Sequence, residues 1–428
     1  MSTIEDPPLH LRGMLAPVQE EHTLTDLTVT GAIPTELDGR YVRNGANPIT
    51  GVSDHPFLGD GMIHGVRLRD GNAEWYRNRY VQTPFVSNPD REVIDMEDSL
   101  TDMAASKANT NVVGHAGNIL ALEEGHFPYV LDGELNTVGP LDYAGELQGS
   151  FTAHPKICPV TGELIAFGYA LMEPHLRYVR ISADGRLVQD EQITVGGPTM
   201  MHDFNVTRNH VVFMDLPAVF DLELALKGEM PIRWSETYSA RLGVMPRDGS
   251  DADVVWHEID PCYVFHPMNS YEEDGKIVLD VARLPHVWRD SPMDFPDPAL
   301  HRWTLDTTSG AFTDEQIDDL PAEFPRVADS VVGLKHRYGY MMKNAGTSMI
   351  DDPMSSNGEI LKYDRETGAR ASIDLGRGRL QGESSFVPSA NRTSEDDGYL
   401  MTYVYDAASD QSEEGKEKKA KSAHSHLS

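Results

Sequence analysis

The chain has 428 residues, of which 39% are hydrophobic and 24% charged, a globular balance that suits one large all-β domain or about two to three average ones. Its formal net charge of −32 repels phosphate backbones and excludes nucleic acid as a partner. No apolar run approaches the roughly 20 residues of a membrane helix, and Met1 to Pro8 carries neither the basic nor the apolar region of a secretory signal. Two cysteines, Cys158 and Cys262, cannot build a disulfide framework, and a cytoplasmic location is expected.

In chain order, helix-period stretches are scarce and short β-branched or aromatic runs recur between turns. Asp70-Gly71, Asp132-Gly133, Asp184-Gly185, Asp274-Gly275 and Asp397-Gly398 each read as a hairpin turn, because glycine supplies the positive φ that a tight turn demands. Thr161-Gly162 and Thr367-Gly368 do similar work. Such units spaced by about 40–50 residues indicate a propeller of four-stranded blades. A β-sandwich is the alternative, for which the chain is long. Asp95 to Lys107 and Asp221 to Lys227 are the best helical or irregular insertions. The domain is expected to span 1–410. Beyond it, residues 411–428 are polar, charged and without periodicity, and are expected to be a disordered tail.

Three histidines stand in short turn-flanked strand motifs: His154 in Thr-Ala-His-Pro, His202 in Met-His-Asp-Phe and His266 in Phe-His-Pro-Met. Separations of 48 and 64 residues are far too long for one helix or hairpin, but suit ligands delivered from successive sheets to a central axis. Neutral imidazole is a ligand for iron, copper, zinc or nickel. Most of the 17 histidines are ordinary surface or core residues, and His64 reads as a buried structural one.

The chain resembles the carotenoid cleavage oxygenases, non-haem iron enzymes that split a conjugated double bond of carotenoids, apocarotenoids or stilbenes. The resemblance runs from about Leu37 to Asp410. It rests on Leu37-Asp38-Gly39-Arg40-Tyr41-Val42-Arg43-Asn44-Gly45, Gly59-Asp60-Gly61-Met62-Ile63-His64-Gly65 and Asn78-Arg79-Tyr80-Val81, followed by the three histidine motifs and Glu395-Asp396-Asp397-Gly398. It implies an all-β, seven-bladed propeller with a cap of loops and short helices over the metal face. It further implies Fe(II) on four histidines, O2 as co-substrate, and cleavage of a C=C bond to two carbonyl products. His154, His202 and His266 match the first three ligand positions. Glu124, Glu323 and Glu383 match the glutamates behind the histidines; without that context each reads as a solvated side chain.

The family's fourth histidine lies near the C-terminus in a His-Gly context, and nothing after Asp410 matches it. His424 and His426 lie in the polar tail and are poor candidates. The last blade is therefore expected to be incomplete, and a catalytically impaired propeller is the rival reading. A calcium-dependent propeller hydrolase ranks below both, since histidine stands where that site needs oxygen ligands. Phe85, Phe151, Phe204, Phe265 and Phe386 flank the motifs and are candidates for an apolar substrate tunnel, with core packing an equal explanation. The stilbene-cleaving branch places a lysine near Glu123; a carboxylate there repels a phenolate and favours a carotenoid or apocarotenoid. Transient membrane contact, for extraction of a lipid-like substrate, and oligomeric state stay open at this level.

Overall fold

The computed structural model describes residues 7–91, 102–227, 229–343, 352–418 and 424–427, with side chains as far as Glu413. Among these residues the strands form six antiparallel four-stranded sheets and one of six strands, seven blades in all, with a separate two-stranded ribbon. Blades 1 to 6 have as their inner strands Gly39–Ala46, Asn111–His115, Lys156–Ile157, Asn205–Val206, Tyr263–Glu273 and Ala322–Arg326. Arg379–Gln381 and Ser385–Pro388 serve blade 7, both pairing with Gly398–Asp406. Inner strands of neighbouring blades pack on one another: Gly39–Ala46 on Asn111–His115, and Tyr263–Glu273 on both Asn205–Val206 and Ala322–Arg326. They therefore surround the axis, and residues at their ends converge on the centre of the ring.

Three of the five Asp-Gly turns follow the signal, with positive φ at Gly71, Gly185 and Gly275; in the turn at Asp132-Gly133 the positive φ falls on Leu135, and Gly398 instead opens the strand Gly398–Asp406. Asp70 and Gly71 have φ of 48° and 75°, and Asp274 and Gly275 have 51° and 76°, the two-residue geometry that matches strand twist. The first pair joins Gly61–Arg69 to Asn72–Tyr80, and the second joins Tyr263–Glu273 to Lys276–Leu284. Between blades, alternate strand residues bury large side chains; Phe167, Tyr178, Phe213 and Trp303 are fully enclosed in one core running from blade 3 to blade 5.

The cap differs in part from expectation. Asp221 caps a short helix, Leu222–Leu226, by accepting from the backbone N–H of Glu223 and Leu224. This helix bridges Ala218–Phe220 and Ile232–Trp234, a ribbon inserted between the second and third strands of blade 4. Of the other expected insertion, 95–101 lies outside the described residues and 102–107 is not helical. No helix among the described residues is long and apolar enough to cross a membrane.

The expected tail also departs from expectation. Gln411–Lys418 pairs with Gly398–Asp406 from Tyr399 to Asp406, and His424–Leu427 pairs with Gln411–Lys418 and with Val29–Thr30 from the start of the chain. Backbone pairing asks little of side-chain identity, and the open edge of Gly398–Asp406 offers a complete ladder to whatever chain lies beside it.

Candidate metal centre

Each of the three histidines is aimed by local chemistry. Thr152 Oγ1 accepts the His154 N–H at 2.9 Å, a tight side-chain turn just before Lys156–Ile157. His202 precedes Asn205–Val206, and the next residue fixes its turn: Asp203 accepts the Phe204 N–H at 2.6 Å and pairs with Lys156 Nζ at 2.7 Å. Asp203 is 2% exposed, and burial raises its carboxyl against the pull of Lys156. That makes it a clamp between blades 3 and 4. His266 lies within Tyr263–Glu273 where the register shifts between Val264 and Pro267. Proline cannot donate to the ladder there, and the bulge turns the imidazole inward.

The rings meet. Centroids lie 4.5 Å apart for His154–His202, 4.8 Å for His202–His266 and 5.0 Å for His154–His266. One nitrogen of each falls within 4.8 Å of the others. The outer nitrogens of two rings are engaged: His202 Nδ1 contacts the Glu124 carboxylate, and His266 Nδ1 lies 3.0 Å from Glu323 Oε2. Glu323 Oε2 also accepts the backbone N–H of Phe324. Burial and the two neighbouring imidazoles hold His154 well below the usual histidine range. For His266 burial works downward, but the charge and hydrogen bond of Glu323 outweigh it and raise its proton affinity.

This arrangement passes a fit test for a cation. Nδ1–H donated to a glutamate leaves Nε2 as a lone-pair acceptor. His202 Nε2 and His266 Nε2 then face each other at 3.1 Å, and His154 Nε2 is buried with no partner. A proton between the first pair still leaves His154 unsatisfied. A cation shared by all three satisfies the one nitrogen that each ring turns to the centre, and the carboxylates behind two of them are the outer partners metal-bound histidines normally have.

The family model described as Retinal pigment epithelial membrane protein matches residues 15–414. The chain belongs to this family, the carotenoid cleavage oxygenases. It is 40% identical to the carotenoid cleavage oxygenase of Mycobacterium tuberculosis, over 94% of this chain and 91% of that protein. It is 35% identical to the carotenoid 9,10(9',10')-cleavage dioxygenase 1 of Arabidopsis thaliana, over 93% and 83%. Among solved structures, the lignostilbene dioxygenase of Pseudomonas brassicacearum superposes with a TM-score of 0.88 at 27% identity, covering 99% of this chain and 96% of that one.

The remaining oxygenase-motif residues divide. Glu124 and Glu323 stand behind histidines. Glu383 is exposed, with no histidine on it among the described residues. Its charge adds to the pull on His266. A cavity of about 1550 Å³ opens beside His202, with Glu124, Tyr169, Phe85, Phe220 and Trp288 on its wall. Of the five candidate phenylalanines only Phe85 lines it. Phe151 and Phe204 are buried in cores between blades, and Phe386 stacks on Tyr340 at 5.6 Å. Phe265 packs against His202 at 5.3 Å and supports the ring from the side. Phe265 and Phe386 lie on strands, where alternation sends neighbours to opposite faces, while Phe151 and Phe204 precede their inner strands, and nearness in sequence to a motif does not choose what a side chain faces.

Sequence reasoning also missed two groups on the wall, His126 and Tyr169. Glu123 is paired, accepting from His126 Nδ1 at 2.5 Å. Burial lowers His126, and the charge and hydrogen bond of Glu123 outweigh it and raise its proton affinity. Tyr169 donates its hydroxyl to Glu124. A tyrosine closing the strand Leu164–Tyr169 gave no signal of this, since its partner lies on another blade. His64 is buried as expected, with its Nδ1 hydrogen-bonded to the Tyr76 hydroxyl at 2.8 Å. Cys158 and Cys262 are both buried thiols without a disulfide.

Proposed function

We propose that this chain holds Fe(II) on His154, His202 and His266 and cleaves a carbon–carbon double bond of a carotenoid or apocarotenoid with O2. The observation that carries the reading is the convergence of three buried imidazole nitrogens, two of them backed by glutamates, beside a largely apolar cavity. Bound there, the metal supplies O2 binding and activation. Both atoms of O2 end in the two carbonyl products, so the C=C bond itself provides the electrons and no external reductant enters.

The protein's part is positional. Glu124 and Glu323 keep the Nδ1 protons of His202 and His266 in place and so fix which nitrogen faces the centre. The depressed proton affinity of His154 keeps its ring neutral. Walls such as Phe85, Phe220 and Trp288 favour an extended apolar polyene and exclude water from the reacting bond. No general base is needed, in keeping with Asp203 being committed to Lys156.

A stilbene is the second reading, because a lignostilbene dioxygenase superposes over nearly the whole chain. Carotenoid is preferred because the more similar relatives, at 40% and 35% identity, bear that name. The test compares wild type with His202→Ala: iron per chain, then aerobic incubation with an apocarotenal and with a hydroxystilbene. Stoichiometric iron lost in the variant, with aldehydes released from the apocarotenal, is the expected result. Release from the stilbene alone would transfer the assignment to that class. A folded wild type that retains no iron would sink the reading and leave an impaired propeller.

A further inference from the structure

Tyr169 ends the second strand of blade 3 and is 8% exposed. Its backbone is held close to the preceding segment: Ser150 Oγ donates to the Tyr169 carbonyl at 2.7 Å, and a Cβ on Gly168 would stand 2.0 Å from the Ser150 carbonyl oxygen. Only glycine allows that approach. The ring is steadied by Phe167 at 6.5 Å and Phe220 at 5.8 Å. From this fixed base the hydroxyl crosses to blade 2 and donates to Glu124 Oε2, while Glu124 Oε1 contacts His202 Nδ1 from blade 4. One carboxylate is thus gripped from two sides by two other blades.

We propose that Tyr169 is a positioning residue of the metal centre, acting through Glu124 to hold the carboxylate that orients His202. This rests on the metal-binding reading above. A carboxylate held at one oxygen only can turn about its terminal torsion, whereas one held at both oxygens cannot turn without breaking a bond. The phenol also draws charge from the carboxylate, which moderates how strongly Glu124 polarises the His202 ring. Burial and the nearby Glu124 push the tyrosine well above its usual range, so it stays a donor. The second carboxylate is held differently. Glu323 takes both His266 and the Phe324 N–H on Oε2, and its Oε1 is buried without a partner. Side-chain substitution can therefore loosen the His202 arm alone.

The experiment is Co(II) titration of metal-free protein, with the apo melting temperature measured beside it. The variants are Tyr169→Phe, Glu124→Gln, their combination, and Tyr178→Phe. Tyr178 is the control: it lies in the same core, and its hydroxyl bonds the Arg247 carbonyl at 2.9 Å. Tyr169→Phe is expected to weaken Co(II) binding about 10-fold, and Glu124→Gln by about 10–100-fold. The double variant is expected to be no weaker than Glu124→Gln alone, because the tyrosine has nothing left to act through. Tyr178→Phe should bind as wild type does, and the apo melting temperatures of the two Tyr→Phe variants should match. Unchanged affinity in Tyr169→Phe, additive losses in the double variant, or an apo protein much less stable than Tyr178→Phe would each overturn the proposal by making the hydroxyl a packing or fold contact. A wild type that takes up no Co(II) would instead remove the metal-binding reading on which it depends.

Discussion

The two carboxylates behind the imidazoles decide how firmly this centre can hold a cation. Glu323 lies 3.0 Å from His266 Nδ1, and its charge is the chief reason that ring's proton affinity is raised despite burial. Replacing it by glutamine keeps the shape and removes the charge. Glu323→Gln is expected to lower metal affinity by about 10–100-fold, read by competition with a chelator at neutral pH, with little change in apo stability. An affinity equal to wild type would show that Glu323 only packs. Histidine identity and order were legible from the chain, and the glutamates became legible through the family motifs. Tyr169 was not, because its single informative contact is with a residue 45 positions earlier on another blade.

At the scale of elements, neighbouring blades are joined by buried polar hubs as well as by apolar cores. Asp280, on Lys276–Leu284, is fully buried and takes both arms of Arg302 at 2.8 Å and Arg365 at 3.2 Å. His336 completes the hub between blades 5 and 6, 3.5 Å from Asp280, with Nδ1 on the Asn269 amide at 3.1 Å and the Tyr271 ring beside it. Burial, opposed by Asp280 and reinforced by Arg365 and Arg302, pushes His336 down from 6.5 to about 4. The unfolded chain therefore binds a proton between these values that the folded chain refuses. The contribution is fully present above about 6.5 and is lost as pH falls towards about 4. Urea unfolding should show a flatter loss of stability over that interval for His336→Gln than for wild type, and parallel curves would contradict the assignment. Asp280 and His336 carry no pattern in sequence that marks them as partners; ring geometry alone brings them together.

For the whole molecule, the decisive feature is closure of the ring where blade 7 meets blade 1. Ile33, Leu37, Val66 and Leu68 share a core with Tyr399 and Met401, so residues separated by most of the chain are packed together. Polar ties run across the same seam: Glu36 accepts from the Tyr399 hydroxyl and from Ala390 N at 2.9 Å, and the Tyr41 hydroxyl bonds the Met401 carbonyl at 3.1 Å. Leu37 is 4% exposed, and Leu37→Ala should cost about 2–5 kcal/mol through lost burial and a cavity at the seam. Calorimetry should find the main transition displaced as a unit. A separate early transition would mean that the seam opens by itself and that closure does not support the other blades. Only long-range contacts place this seam, so the residues beyond Asp410 read as a polar tail, whereas the folded chain runs strands through 411–418 and 424–427 in the seventh sheet.

The sequence by itself determined the local geometry: turns at Asp70-Gly71 and Asp274-Gly275, the strands between them, and the turn before an inner strand that aims His154 or His202. These depend on steric and hydrogen-bond preferences a few residues long, so they can be read without knowing the neighbours. The tertiary structure decided which side chains face the cavity, leaving Phe85 there and sending Phe151, Phe204 and Phe386 into cores. It decided that Glu124, Tyr169 and His202, from three blades, share one carboxylate, and that Glu383 carries no histidine among the described residues. The reason is physical: a strand fixes only the alternation of its faces, and the angle between packed blades determines what those faces meet.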